Sequence, residues 1–243
     1  MVIYGLVSGA SVGALFLGGV VPGVLMALLM MAVVQVIAVR RNMPREARVP
    51  LSEWPSVLFR GALPLSMPIV LLGGIYSGAF TPTEAAAVAA AHALILAGSF
   101  LLNYAFTAEG VPQAMAAWVD ALNLSPVAFL LLVNVMFLVL GCFLDVSVLL
   151  LVFVPMLLPA VKVLGIDLVH FGVLVVLNMM IGLIHPPFGM LLFVTKALTG
   201  IPIGEMMKEG WPFIVMLLML LLAMTLFPQI VLWLPQTMGY GAK

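Results

Sequence analysis

The chain has 243 residues, 65% of them hydrophobic and 7% charged, with nine basic and nine acidic side chains in balance. Soluble domains carry about 25% charged residues, so this composition, with a mean hydropathy of +1.32, excludes an ordinary soluble domain and identifies an integral membrane protein. The balanced charge gives no reason to expect a nucleic-acid partner. The single cysteine, Cys142, permits neither an internal disulfide nor a cysteine-based metal cluster.

The N-terminus shows neither the basic n-region nor the cleavage pattern of a signal peptide. Residues 1–39 read as membrane segments. Gly5, Ser8, Gly9, Ser11, Gly13, Gly18 and Gly19 mark a stretch that packs closely against a neighbour. Pro22-Gly23 then separates it from an unbroken apolar run, Val24 to Val39, read as one full span.

Residues 40–63 form the one dense polar segment. Arg40, Arg41, Arg45, Arg48 and Arg60 are five of the nine basic residues, which by the positive-inside rule makes this loop cytoplasmic. Leu51 to Leu63, with Ser52, Glu53, Trp54 and Arg60, reads as an amphipathic arm helix lying in the bilayer interface.

Residues 64–125 read as a helix–break–helix unit followed by a polar connector. The break is Gly73-Gly-Ile-Tyr-Ser-Gly-Ala-Phe-Thr-Pro-Thr-Glu84. Thr81 or Thr83 can cap a helix start, Pro82 fits its first turn, and Glu84 complements the N-terminal dipole. Glu84 is either a cap alone or a carboxylate at membrane depth, and His92 reads as a packed polar residue. The connector from Asn103 to Ser125 holds Glu109 and Asp120 but no basic residue. Two spans before it would return it to the cytoplasmic side, where lysines and arginines are expected. One segment is therefore re-entrant, or a span is missing between Asn103 and Pro112.

Residues 126–199 carry the chemistry. A span from Pro126 ends at Gly141-Cys-Phe-Leu-Asp145, and an ionisable group between apolar runs is a functional candidate, or else a simple helix end. Val146 to Leu164 follows, with Pro155 and Pro159 expected to bend or break it. Gly165 to His170 reads as a solvated turn. The long run from Val169 to Thr199 is interrupted by Gly182-Leu-Ile-His-Pro-Pro-Phe-Gly189. Inside a bilayer every backbone polar group needs a partner, so a helix broken at depth survives only within protein or beside a water-filled cavity. Such a break is the sequence pointer to a transporter's binding site, the plainer alternative being a proline-kinked span. Asn178 precedes the break in mid-membrane, where it can bond a broken helix's carbonyl. Lys196 follows the break, free to snorkel or face a cavity. Residues 200–243 read as a short amphipathic connector with Glu205, Lys208 and Glu209. A final span follows from Trp211 to Trp233, whose tryptophans sit where an aromatic belt would.

The three histidines are far apart, and no phosphate loop, paired carboxylates or nucleophile–base pair appears, so an enzyme is not expected. Two broken helices instead offer backbone carbonyls for a hard cation and half-helix N-termini for an anion, the parts of a cation-coupled transporter.

Gly73–Ala87 closely resembles a signature of the large membrane subunit of TRAP transporters, the DctM family. Gly141–Asp145 with Pro155 and Pro159, then Val169-His-Phe-Gly172, Asn178–Met190 and Pro202–Glu205, follow in the order and spacing of its later blocks. The resemblance implies an all-α, multi-span, elevator-type transporter with broken helices and a re-entrant hairpin, in the bacterial inner membrane. It implies sodium-coupled uptake of a small carboxylate-type solute, sodium being the coupling ion and no cofactor being needed. Its partners would be a periplasmic solute-binding protein, a small membrane subunit and the lipid bilayer. Residues matching the family's ion and substrate sites are Gly141 and Asp145, then Gly182, His185, Pro186, Pro187, Phe188 and Gly189. Lys196 is a separate candidate for drawing in a substrate carboxylate, and Thr81, Pro82 and Glu84 shape their own break.

Three departures from the family pattern stand out. The chain corresponds to the C-terminal portion, beginning after the first hairpin, so the N-terminal half of the permease would be a further partner. A segment is expected to be missing near Thr107–Gly110, as a gap or a natural deletion. Third, the family pattern usually has threonine where His185 stands, and imidazole is a poor sodium ligand but a proton-sensitive one. Two alternatives to a TRAP permease are a non-transporting scaffold that binds the small subunit and another inverted-repeat carboxylate symporter.

Overall fold

The computed structural model describes residues 1–41, 104–122, 124–186 and 189–240. The regular elements among them are all helices. The interfacial helix expected at 51–63, the break holding Thr81, Pro82 and Glu84, His92, and Pro187 and Phe188 lie outside the described residues.

A short helix, α1 (Val2–Ser8), leads into α2 (Val12–Arg40), capped by the Ser11 hydroxyl accepting from the Ala14 amide. The division expected at Pro22-Gly23 is corrected, because α2 runs through Pro22 without interruption. In a segment this apolar the intact helix remains the way to satisfy the other backbone groups, so one missing donor does not end it.

The stretch expected to be a polar connector holds a helix, α3 (Val111–Ala121), which lies along the second half of α5 and buries Val119. The backbone is continuous through Thr107–Gly110. The backbone turns there through Gly110, at φ 69°, whose amide bonds back to the Thr107 carbonyl at 3.1 Å.

Helix α4 (Pro126–Gly141) begins with a Ser125 cap and proline in its first turn. Helix α5 (Val146–Val163) is continuous despite Pro155 and Pro159, and opens into a wide π turn at Leu149–Phe153. A proline ring crowds the carbonyl four residues back, which for Pro155 is Leu151 inside that turn, so the widening accommodates it. Next come α6 (Leu168–Ile184) and α7 (Met190–Thr199). The chain ends with α8 (Ile203–Leu226) and α9 (Gln229–Thr237). The expected connector at 200–210 is therefore largely the first turns of α8, and the expected final span divides at Pro228, leaving Trp233 on α9. Proline forces its predecessor out of helical torsions, and Phe227 stands at φ −121°, ψ 81°.

Helices α2, α5 and α8 are long and apolar enough to cross a membrane, and α4 and α6 are shorter apolar helices. Helix α6 is the axis of the molecule, packed against α4, α8 and α2. Phe171, Leu174, Met179 and Ile181 of α6 are buried, as are Phe129, Val133 and Phe137 of α4 and Leu217, Leu220 and Met224 of α8. A helix apolar all round belongs in a core or in lipid, and the two cases separate here. Helix α6 is mostly enclosed by protein, with Met180 exposed, whereas α2 leaves Val24, Leu28, Met31 and Val34 exposed along its length.

Candidate functional site at the hairpin tip and the helix break

Helices α4 and α5 form a hairpin whose tip is Cys142–Asp145. The tip meets the end of α6 through two glycines. A Cβ on Gly182 would stand 3.0 Å from the Gly141 carbonyl carbon and Cα, so the two backbones touch and Gly182 has no room for a side chain, whereas a Cβ on Gly141 would meet the Gly182 Cα at an ordinary 3.4 Å. Small residues permit this approach between membrane helices. Directly beyond, α6 ends. His185 takes an extended conformation at φ −85°, ψ 136°, and Pro186 follows in a turn. Gly189 rejoins the described chain before α7, its amide bonding the His185 carbonyl at 3.1 Å. A Cβ there would meet the Leu183 and His185 carbonyl oxygens at 2.7 and 2.9 Å, so the folded-back break also requires glycine.

Of the expected site residues, Gly141, Gly182, His185, Pro186 and Gly189 are therefore gathered at one place. Of the remaining expected residues, the two that the structure describes, Asp145 and Lys196, are exposed. Asp145 is exposed at the start of α5, its carboxylate accepting the Ser147 amide at 2.8 Å, which is the geometry of a helix cap. Lys196 is exposed in the last turn of α7. Nearby, a cleft of ≈ 750 Å³ opens between Leu191, Leu192 and Thr195 of α7 and Glu205, Met206 and Phe213 of α8, and Lys196 is not among its lining residues. The second break is thus a helix end facing a hairpin tip, and the hairpin tip itself is 142–145.

One helical turn back from Gly182 lies a buried polar chain. Asn178 donates from Nδ2 to the Asn134 backbone carbonyl at 2.9 Å and to its Oδ1 at 3.1 Å. Asn134 donates to the Thr225 hydroxyl at 2.8 Å, and Thr225 to the Leu221 carbonyl at 2.7 Å. Asn178 thus bonds a carbonyl of α4 rather than one at its own helix break. Its Oδ1 is fully buried and finds no donor among the described residues. The chain pins α4, α6 and α8 together behind the tip. His170 corrects the expectation of a solvated turn: it is buried in the first turn of α6, with Nε2 2.9 Å from the Met224 carbonyl. Asp167 caps that helix by accepting from the Val169 and His170 amides at 2.7 and 3.1 Å.

Sequence reasoning missed Asn134, Thr225 and the placement of Cys142. A signal for the first was present. Asn134 precedes Gly141 by seven residues and Asn178 precedes Gly182 by four, spacings that put each pair on one helix face.

The family model described as "Tripartite ATP-independent periplasmic transporter, DctM component" matches residues 1–100 and 93–230. The chain belongs to the DctM family. It is 39% identical to the C4-dicarboxylate TRAP transporter large permease protein DctM of Pseudomonas aeruginosa, over 98% of this chain and 63% of that protein. It is 35% identical to the sialic acid TRAP transporter large permease protein SiaM of Vibrio cholerae, over 99% of this chain and 64% of the relative. With the ectoine/5-hydroxyectoine TRAP transporter large permease protein UehC of Ruegeria pomeroyi it shares 33%, over 96% and 62%. The chain thus spans a little under two thirds of the length of these DctM-family relatives. They are named as transporter permeases, not enzymes. The alignment with the Pseudomonas protein runs over 270 positions, more than the 243 residues of this chain, so that relative has residues opposite gaps here.

Proposed function

We propose that this chain is the C-terminal part of the large permease subunit of a TRAP-type secondary transporter, which imports a small carboxylate-type solute together with sodium. The observation that carries the reading is the backbone contact of Gly141 with Gly182, which sets the α4–α5 tip against the end of α6. Unwound backbone at such a junction offers carbonyl oxygens, the ligands a hard monovalent or divalent cation takes. Gly141, Gly182, His185, Pro186 and Gly189, with Pro187 and Phe188, are the proposed ion and solute contacts. Asp145 acts by holding the start of α5, and Lys196 by attracting the solute's carboxylate.

In this proposal the protein lies in the bacterial inner membrane with residues 40–60 on the cytoplasmic side. A periplasmic binding protein delivers the solute, and a small membrane subunit and the N-terminal half of the permease complete the transporter. The relatives named above differ in solute, so identity to them does not choose one. Uptake by the complete locus reconstituted in liposomes, with the binding protein, is the test. Sodium-dependent flux is expected, and its absence defeats the reading.

The alternative reading is a non-transporting membrane scaffold that binds the small subunit. Co-purification of the small subunit without flux would favour the scaffold.

A further inference from the structure

We propose that Cys142 and His185 form a two-ligand site for a borderline-soft divalent cation of the zinc class, bridging the hairpin tip to the broken helix. Cys142 Sγ lies 3.7 Å from His185 Nδ1. Bond lengths of about 2.3 Å to sulfur and 2.0–2.1 Å to nitrogen, at a tetrahedral angle, hold those two donor atoms about 3.6 Å apart. The pair is therefore already spaced for one cation between them.

The surroundings leave it room and further ligands. The two side chains share a cavity of ≈ 320 Å³ with Val135, Leu138, Val139, Phe143 and Pro186. The thiol donates to the Leu138 carbonyl at 3.2 Å, and the backbone carbonyls of His185 and Pro186 stand 3.7 and 3.6 Å from the same sulfur, so a cation bound there would replace the thiol proton among carbonyl oxygens. The donor set selects the ion. Thiolate and imidazole suit zinc-like cations, whereas sodium takes oxygen ligands, so a zinc-class ion would hold here against a large excess of sodium. On binding, the cysteine thiol releases its proton to solvent and the sulfur–metal bond forms in its place.

The two ligands belong to different elements, one at the end of α4 and the other beyond the end of α6. A bound cation would therefore tie the tip to the break and stop relative movement at the junction. This consequence for transport rests on the permease reading, whereas the binding itself stands on the geometry alone.

Cys142 is the only cysteine in the sequence, which makes the test specific. The full chain, purified in detergent, is titrated with cadmium and followed by the ultraviolet thiolate-to-cadmium charge-transfer band. One cadmium per chain is expected, displaced by zinc and insensitive to sodium. Cys142→Ser should abolish the band. His185→Ala and His185→Thr should keep it but require at least about tenfold more cadmium, the lower range for losing even an outer-shell partner of a metal site. No band in the unaltered chain, or an unchanged titration in both His185 variants, overturns the proposal. Thermal unfolding provides a check that does not depend on the cysteine variant folding: at one zinc concentration the midpoint of the unaltered chain should rise more than that of His185→Thr. In reconstituted uptake, zinc should inhibit the unaltered transporter and spare Cys142→Ser. Absence of uptake under every condition would count against the permease reading and leave the titration to decide the site.

Discussion

The contact between α4 and α6 has two unlike halves. In its middle, Asn134 and Asn178 lock the helices through three hydrogen bonds that end on Thr225 of α8. At its end, Gly141 and Gly182 bring bare backbone together, and the chain beyond carries a thiol and an imidazole 3.7 Å apart. The difference teaches how one interface can be both fixed and reactive. Hydrogen bonds between side chains hold a register, and glycine contact brings the hairpin tip and the helix break close enough for Cys142 and His185 to meet. The hydrogen bonds of Asn134 and Asn178 tie α4, α6 and α8 at one level, so the middle half sets the position from which the end half works.

Substitutions that act on one half and spare the other should separate these roles. The largest effect is expected from Gly182→Val, whose branched side chain has only the Gly141 backbone to displace. Overpacking of this kind costs about 3 kcal/mol at the upper end of its usual range. At roughly 2–4 °C per kcal/mol for a chain of this size, the unfolding midpoint in detergent should fall by about 6–12 °C. A midpoint that does not move would mean that the helices are not in backbone contact.

Asn178→Leu comes next. It removes both donors to Asn134 but also the unpaired Oδ1, so the loss should be about 1 kcal/mol, within the range for hydrogen bonds between membrane helices. Thr225→Val should cost less, about 0.6 kcal/mol, and a double-mutant cycle with Asn134→Ala should show coupling of that size. Additive effects would dissolve the network as a unit.

His185→Thr belongs to the other half. Its side chain is only partly buried, and stability should change by less than about 0.5 kcal/mol. The expected change is in ion coupling: sodium dependence of uptake should increase. Unchanged coupling would take this side chain out of the ion site. The smallest effect is expected at Arg41, whose guanidinium meets the Glu209 carboxylate at 2.8 Å with both side chains half exposed. An exposed pair contributes about 0–1 kcal/mol, so Arg41→Gln should barely move the midpoint, and less still at high salt.

Much of this was legible in the sequence. Apolar runs of membrane-spanning length, the break at Gly182–Gly189 and the order of the motifs sufficed for the all-helical class and the family. They rest on composition and local backbone chemistry, which act over a few neighbouring residues. Pro228 ends α8 by the same local rule that placed the break at Pro186.

Where prolines were expected to break helices at Pro22, Pro155 and Pro159, tertiary context prevailed. An apolar helix has no water to pair a freed carbonyl, so it keeps its ladder and absorbs the defect, at Pro155 by a π turn. His170 read as a solvated turn because its neighbours Gly165 and Asp167 are turn residues, yet a carbonyl 54 positions later holds it inside the core. Asp145 read as equally a site or a helix end, and only the position of the Ser147 amide assigns its carboxylate to a cap.

The sequence by itself determined that this is a helical membrane protein of the DctM family, because hydropathy and motif order are properties of the chain. Which face each helix presents was decided by the tertiary structure. The lone Cys142 and His185 stand 43 positions apart, and no periodicity connects residues on different helices. Gly141 and Gly182 connect them: by letting two backbones touch, they set the sulfur and the imidazole one ion's width apart.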